Sequence, residues 1–116
     1  MSETLNLHRT VLQSTLPGNQ QVTIEHHNIK KSILVLKALH HKLRLQIIKL
    51  LDEHQQLTVT DIFVKLRIEQ SVASQQLAIL RRARVVVTDR QGKFIFYKLN
   101  LERIEELNRI AENLSA

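Results

Sequence analysis

"LTVTDIFVKLRIEQSVASQQLAILRR", residues 57–82, reads as two amphipathic helices separated by a three-residue break at Arg67-Ile68-Glu69. Thr58 or Thr60 suits the N-cap of the first helix, and Asp61 then lies at the positive end of its dipole. Ile62, Phe63 and Leu66 form its inward side. The second helix spans roughly residues 70–83. Helix, short break, helix is the spacing of a helix-turn-helix. At 3.6 residues per turn, Ala73, Leu77, Leu80 and Arg84 fall on one line, with Val72 and Ile79 beside it. That line predicts the buried stripe.

The opposite side of the second helix carries the chemistry. Ser71, Ser74, Gln75, Ala78 and Arg82 share it, and no acid occurs between residues 70 and 88. A solvated helix face ordinarily carries Glu and Lys in pairs three or four apart. A face that is small, neutral and rich in donors and acceptors suits entry into a DNA major groove. There Gln bonds adenine in bidentate fashion, Ser serves either edge, and Ala touches a thymine methyl. Arg81 and Arg82 close the helix, where they suit phosphates or the negative end of the dipole. The plainer alternative is a polar surface helix whose arginines only complement that dipole.

Downstream, "VVVTDRQGKFIFYKL", residues 85–99, sets two β-branched and aromatic runs around Asp89-Arg90-Gln91-Gly92-Lys93. This predicts a β-hairpin with its turn over those five residues and a basic tip at Arg90 and Lys93. The tip is either ordinary solvated charge or a backbone contact. A helix-turn-helix followed directly by a basic hairpin favours the second reading, a winged helix. The expected DNA-contacting residues are Gln70, Ser71, Ser74, Gln75, Gln76, Arg81, Arg82, Arg90 and Lys93.

Upstream, a helical pattern starts at Glu25. Ile29, Ile33, Leu36 and His40 share a face that Leu34, Ala38 and Leu39 widen. An apolar arc this broad is buried on more than one side, which in a small domain points to a subunit interface. Leu43, Ile47, Leu50 and Leu51 mark the next helix, after a junction at His40-His41-Lys42 that offers no good N-cap. A final helix over residues 101–114 repeats Leu101, Ile104, Leu107, Ala111 and Leu114. The expected dimer interface is Ile29, Ile33, Leu36, Ile104, Leu107, Ala111 and Leu114. Residues 1–24, with the chain's one Pro-Gly pair, read as an extension ordered at most in part. Residues 25–116 read as the winged-helix domain with dimerisation helices at both ends. The fold class is therefore mainly α with a small β-hairpin: a winged helix-turn-helix, dimeric.

Charge placement agrees with this. The net charge of the 116 residues is +6, and residues 65–98 alone hold eight cations against two anions. Concentrated positive charge favours a polyanion through counterion release. The core rests on Leu, Ile and Val, since the chain has three Phe, one Tyr and no Trp. No cysteine is available for a disulfide or a thiolate. No secretory signal and no membrane-spanning run is apparent, so the expected location is cytoplasmic. No catalytic triad, acid pair or Gly-rich phosphate loop stands out, and an enzyme is not expected.

These residues together resemble the ArsR/SmtB family of bacterial winged-helix repressors, over about residues 33–99. The carrying segments are "LKALHHKLRLQIIKLL", "LTVTDIFVKLRIEQSVASQQLAILRRARVV" and "RQGKFIFYKL". The family's second-helix Arg is matched by Arg44. Its recognition-helix pattern is matched at Ser71, Ser74, Leu77 and Leu80, and its wing at Arg90, Gly92, Lys93 and Tyr97. The resemblance implies a homodimer, with first and last helices at the interface, that represses by binding an operator.

Four positions depart from the pattern. His41-Lys42 stand where Asp-Pro is usual, Gln76 replaces a His, and Arg84 replaces the Gly that follows the recognition helix. An Arg there implies strain or a different helix exit. The stretch matching the family's Cys-based metal motif, Leu57 to Asp61, has no thiolate, and the last helix has glutamates but no His. Neither metal site carries over. The adjacent pairs His26-His27 and His40-His41 diverge by about 100° on a helix, so neither pair converges on a metal within one helix; surface or interface histidines are the expectation, and a site shared between subunits stays open. The expected function is a sequence-specific, dimeric, DNA-binding repressor on an inverted-repeat operator. It has no cofactor and no membrane association, and its effector is open. The alternative is a winged-helix protein-interaction module that does not read DNA.

Overall fold

A computed structural model describes residues 8–13 and 15–116. The chain divides into two compact units, one up to Leu34 and one from Val35, with the boundary inside the first α-helix.

In the first unit, β1 (Arg9–Leu12) and β2 (Val22–Glu25) pair antiparallel, with Arg9 opposite Glu25 and Leu12 opposite Val22. Arg9 Nε and Glu25 Oε1 form an ion pair at 2.8 Å, and Thr10 Oγ1 lies 2.5 Å from His26 Nε2. Thus a hairpin occupies much of the segment whose composition marks it as an extension. Residues 1–7 and 14 lie outside the described residues. α1 (His26–Ala38) follows β2 without a linker.

The second unit holds α2 (Lys42–His54), α3 (Val59–Leu66), α4 (Gln70–Arg82), β3 (Val86–Gln91), β4 (Phe94–Leu99) and α5 (Leu101–Ser115). The helix ends follow from local chemistry. His41 caps α2, because its Nδ1 accepts from Leu43 N at 3.2 Å. Composition suggests no cap there, since His is not among the favoured N-cap residues. A neutral imidazole nitrogen nevertheless accepts as a carboxamide oxygen does. α3 starts with a capping box: Asp61 N donates to Thr58 Oγ1 at 3.2 Å, and Thr58 N to Asp61 Oδ2 at 3.1 Å.

α3 and α4 both end through a left-handed residue without using glycine. Arg67 has φ 54° and ψ 46°, and Ile68 N donates back to Phe63 O at 3.1 Å. At the end of α4, Arg84 has φ 61°. There Arg84 N donates to Arg81 O at 2.9 Å and Val85 N to Leu80 O at 3.0 Å. This is the Schellman closure, with buried Val85 meeting buried Leu80 across it. The stripe of α4 predicts Arg84 in the core; instead it lies beyond the helix and is exposed. A Cβ in this conformation is strained. Arg84→Gly is therefore expected to raise stability by about 0.5–1 kcal/mol in urea unfolding. A loss of stability on that change would contradict the left-handed exit.

The wing's strands are longer than the turn residues suggest. Asp89, Arg90 and Gln91 are paired in β3, and Gln91 lies opposite Phe94. The turn is only Gly92-Lys93. Gly92 has φ +64° and Lys93 is not among the positive-φ residues, as a two-residue II′ turn requires. Leu57 adds a one-residue third strand, exchanging hydrogen bonds with Tyr97 at 3.2 and 2.8 Å. One aliphatic core joins these elements, with Ile47, Leu51, Ile62, Leu77, Leu80, Val85 and Val86 fully buried.

Candidate nucleic-acid interface

α4 presents two unlike sides. Ala73, Leu77 and Leu80 are buried, while Gln70, Ser71, Ser74, Gln75, Ala78, Arg81 and Arg82 are exposed. Gln76 differs from its neighbours. It is half-buried, and its Oε1 accepts from Arg44 Nη1 on α2 at 2.9 Å. Of the four polar side chains expected to read base edges at residues 71–76, three stand outward and Gln76 is turned to α2.

Beside this face lies a shallow hollow of about 390 Å³, lined by Val59, Ser74, Ala78, Arg81, Arg82 and Tyr97. Arg82 Nε donates to Ala78 O at 3.4 Å, so part of its guanidinium serves the helix end. Val59, at the start of α3, and Tyr97, on the wing, both line the hollow. Spacing along a single helix does not show Val59 as part of the site. Its place there comes from the Leu57–Tyr97 pairing, which is non-local.

The wing carries its cations at the tip. Arg90 Nε donates to Gly92 O at 3.2 Å, and Lys93 Nζ lies 5.4 Å from the centroid of the Phe94 ring. Lower on the wing, Lys98 Nζ pairs with Asp89 Oδ2 at 3.1 Å. The Asp89 carboxyl is held below its ordinary pKa, first by the hydrogen bond from Gln91 and then by Lys98. The ion pairs of the described residues join Arg9 to Glu25, Lys98 to Asp89, Arg103 to Glu106 and Arg109 to Glu105. Arg81, Arg82, Arg90 and Lys93 are in none of them. Exposed Arg84 adds a further cation at the end of α4.

The residues expected at a dimer interface divide. Leu107 is only 3% exposed and belongs to the chain's own core. Leu36 and Ile104 are half-buried and, with Leu39, Leu101 and Ala111, line an apolar hollow of about 550 Å³. Leu114 is 72% exposed, and Ile29 and Ile33 are each 49% exposed. Among the described residues, no three His, Cys, Asp or Glu side chains are grouped to hold a metal ion. No helix of the described residues is long and apolar enough to cross a membrane.

A sequence profile of bacterial regulatory proteins of the arsR family matches residues 41–88. The transcriptional repressor PagR of Bacillus anthracis is 33% identical over 87 residues, which are 75% of this chain and 87% of that protein. Its crystal structure has a TM-score of 0.59 at 32% identity and covers 75% of this chain and 99% of that one. The transcriptional activator HlyU of Vibrio cholerae serotype O1 is 32% identical over 87 residues, 75% of this chain and 80% of that protein. An ArsR-like transcriptional regulator from Rhodococcus sp. RHA1, 17% identical, shares the fold with a TM-score of 0.66, over 77% of this chain and 83% of that one.

Proposed function

The chain belongs to the arsR family of bacterial regulatory proteins, and from that premise we propose that it is a dimeric, sequence-specific DNA-binding repressor. The observation that carries this reading is the outward polar face of α4, Gln70, Ser71, Ser74 and Gln75, flanked by cations that pair with no acid among the described residues. In this reading α4 enters the major groove. Arg81 and Arg82 hold phosphates at its rim, and Arg90 and Lys93 reach the backbone or the adjacent minor groove.

The exposed residues Ile29, Ile33 and Leu114 and the hollow beside α5 support burial against a second copy. A two-fold dimer reads an inverted repeat, with half-sites about 10 bp apart or a multiple of that. Repression is the output we assign because PagR, 33% identical, is named a repressor. The compartment is then that of the chromosome, the cytoplasm. The reading assigns no thiolate metal sensing to the stretch from Leu57 to Asp61, which has no cysteine.

Selection from random duplexes, repeated with two variants, tests the reading. The wild type is expected to enrich an inverted repeat. Gln75→Ala is expected to relax preference at the base pair it reads, a loss of about 1–3 kcal/mol in discrimination. Lys93→Gln is expected to weaken all sequences together and reduce the salt slope by about one unit. No enrichment and no retention on random DNA at moderate salt would favour the protein-interaction module instead.

A further inference from the structure

We propose that Arg44 is a positioning residue: it fixes the tilt of α4 relative to the Lys37–Ala38 end of α1 and thereby sets which half-site spacing the protein accepts. The inference rests on the dimeric, DNA-reading function above.

Its basis is a three-armed contact. Arg44 Nε donates to Ala38 O at 2.8 Å and Nη2 to Lys37 O at 3.0 Å, the last two residues of α1. The remaining arm, Nη1, donates to Gln76 Oε1 at 2.9 Å, midway along α4. A guanidinium only donates, so the Gln76 amide must present its oxygen, and its orientation is determined. The planar fork holds all three acceptors in fixed directions, which a lysine ammonium on a flexible stem does not.

The apolar part of α4's seating lacks this directionality. Ala73, Leu77 and Leu80 bury apolar surface, and burial of that kind is indifferent to small rotations. A second polar tie stands at the helix end, where Arg103 of α5 donates from Nε to Ala83 O at 3.1 Å. α4 is thus linked through Arg44 of α2 to the end of α1, and its C-cap residue Ala83 is bonded to α5; the dimer reading places both of those helices at the interface. In a two-fold dimer, the separation of the two α4 helices follows from their geometry relative to those helices. One base pair of spacing is about 3.4 Å of axial travel and a rotation of about a tenth of a turn. A loosened tie lets α4 follow that change, so it broadens the accepted spacing and leaves the reading face intact.

The experiment uses the full chain, a set of duplexes carrying the selected half-sites at spacings varied in single base pairs, and two variants. Arg44→Lys keeps the charge and loses the fork. Gln76→Leu keeps Arg44 and its bonds to α1, and it provides the result if Arg44→Lys does not fold. Thermal unfolding and sedimentation establish that each variant is folded and dimeric. The expected result is that affinity at the best spacing exceeds that one base pair away about tenfold less than in the wild type. Base preference within each half-site stays the same, and the double variant is no broader than the broader single one. Affinity that falls in equal proportion at every spacing, with the profile unchanged, overturns the inference and leaves Arg44 a stabilising contact only. A wild type that binds single half-sites without any preferred spacing overturns the dimeric operator reading, and the inference with it.

Discussion

Arg81, Arg82, Arg90 and Lys93, replaced together by Gln, are expected to weaken binding to each half-site by about a thousandfold at 0.15 M salt. None of the four pairs with an acid among the described residues, and the terminal nitrogens of the three arginines and the Lys93 ammonium remain as donors to a phosphate. Each neutralised phosphate contributes about 0.9 to the slope of log affinity against log salt, so four contribute about 3.6. Extrapolated to 1 M salt, where that contribution vanishes, the variant and the wild type are expected to converge. The four side chains are exposed, and each replacement is expected to change stability by no more than about 0.5 kcal/mol. Arg109 is a suitable control, because it already pairs with Glu105 on α5 and is not among the proposed DNA contacts. Its replacement is expected to leave the slope unchanged. Anisotropy titrations across a salt series measure both slopes. A four-residue variant with the wild-type slope and wild-type unfolding would exclude these cations from the backbone contact.

The helix-turn-helix and wing are legible in the sequence because their signals are local. The stripe Ala73, Leu77, Leu80 sits at helical spacing, and the Thr58–Asp61 cap is a four-residue motif. The departures all depend on contacts between distant residues or on a backbone state that residue type does not encode. Asp89, Arg90 and Gln91 are common in turns, yet a II′ turn needs only one glycine at its first central position, so pairing with β4 extends through all three. Arg84 falls on the core line only if the helix continues, and the buried Leu80–Val85 closure ends it first. Gln76 looks like its outward neighbours until Arg44, 32 residues away, is placed beside it. The β1–β2 hairpin escapes notice for the same reason. Nine residues separate its strands, so no short turn signature announces it, although Val22, Thr23 and Ile24 have strand-forming character.

Leu77→Ala is expected to destabilise the folded chain by about 2–5 kcal/mol in urea unfolding. Leu77 is 1% exposed, in the middle of α4, within a core built almost wholly of aliphatic side chains. Removing its branched end leaves a cavity, and the packing closes over it only in part. A small domain has about 5–15 kcal/mol of total stability, so the loss is a large share of the whole. The same helix carries the reading face on its other side, and this separates two effects that a single activity measurement would merge. Affinity per total protein is expected to fall with the folded fraction. Base preference among the molecules still folded is expected to match the wild type, because Gln70, Ser71, Ser74 and Gln75 do not touch the core. Ile33→Ala, at a residue 49% exposed, provides the contrast. If Ile33 lies between two copies, its cost is expected to grow with protein concentration, whereas the Leu77→Ala loss stays intrinsic to each chain. A Leu77→Ala loss below about 1 kcal/mol would mean that α4 is not anchored by this stripe, and the outward placement of its serines and glutamines would lose its structural basis.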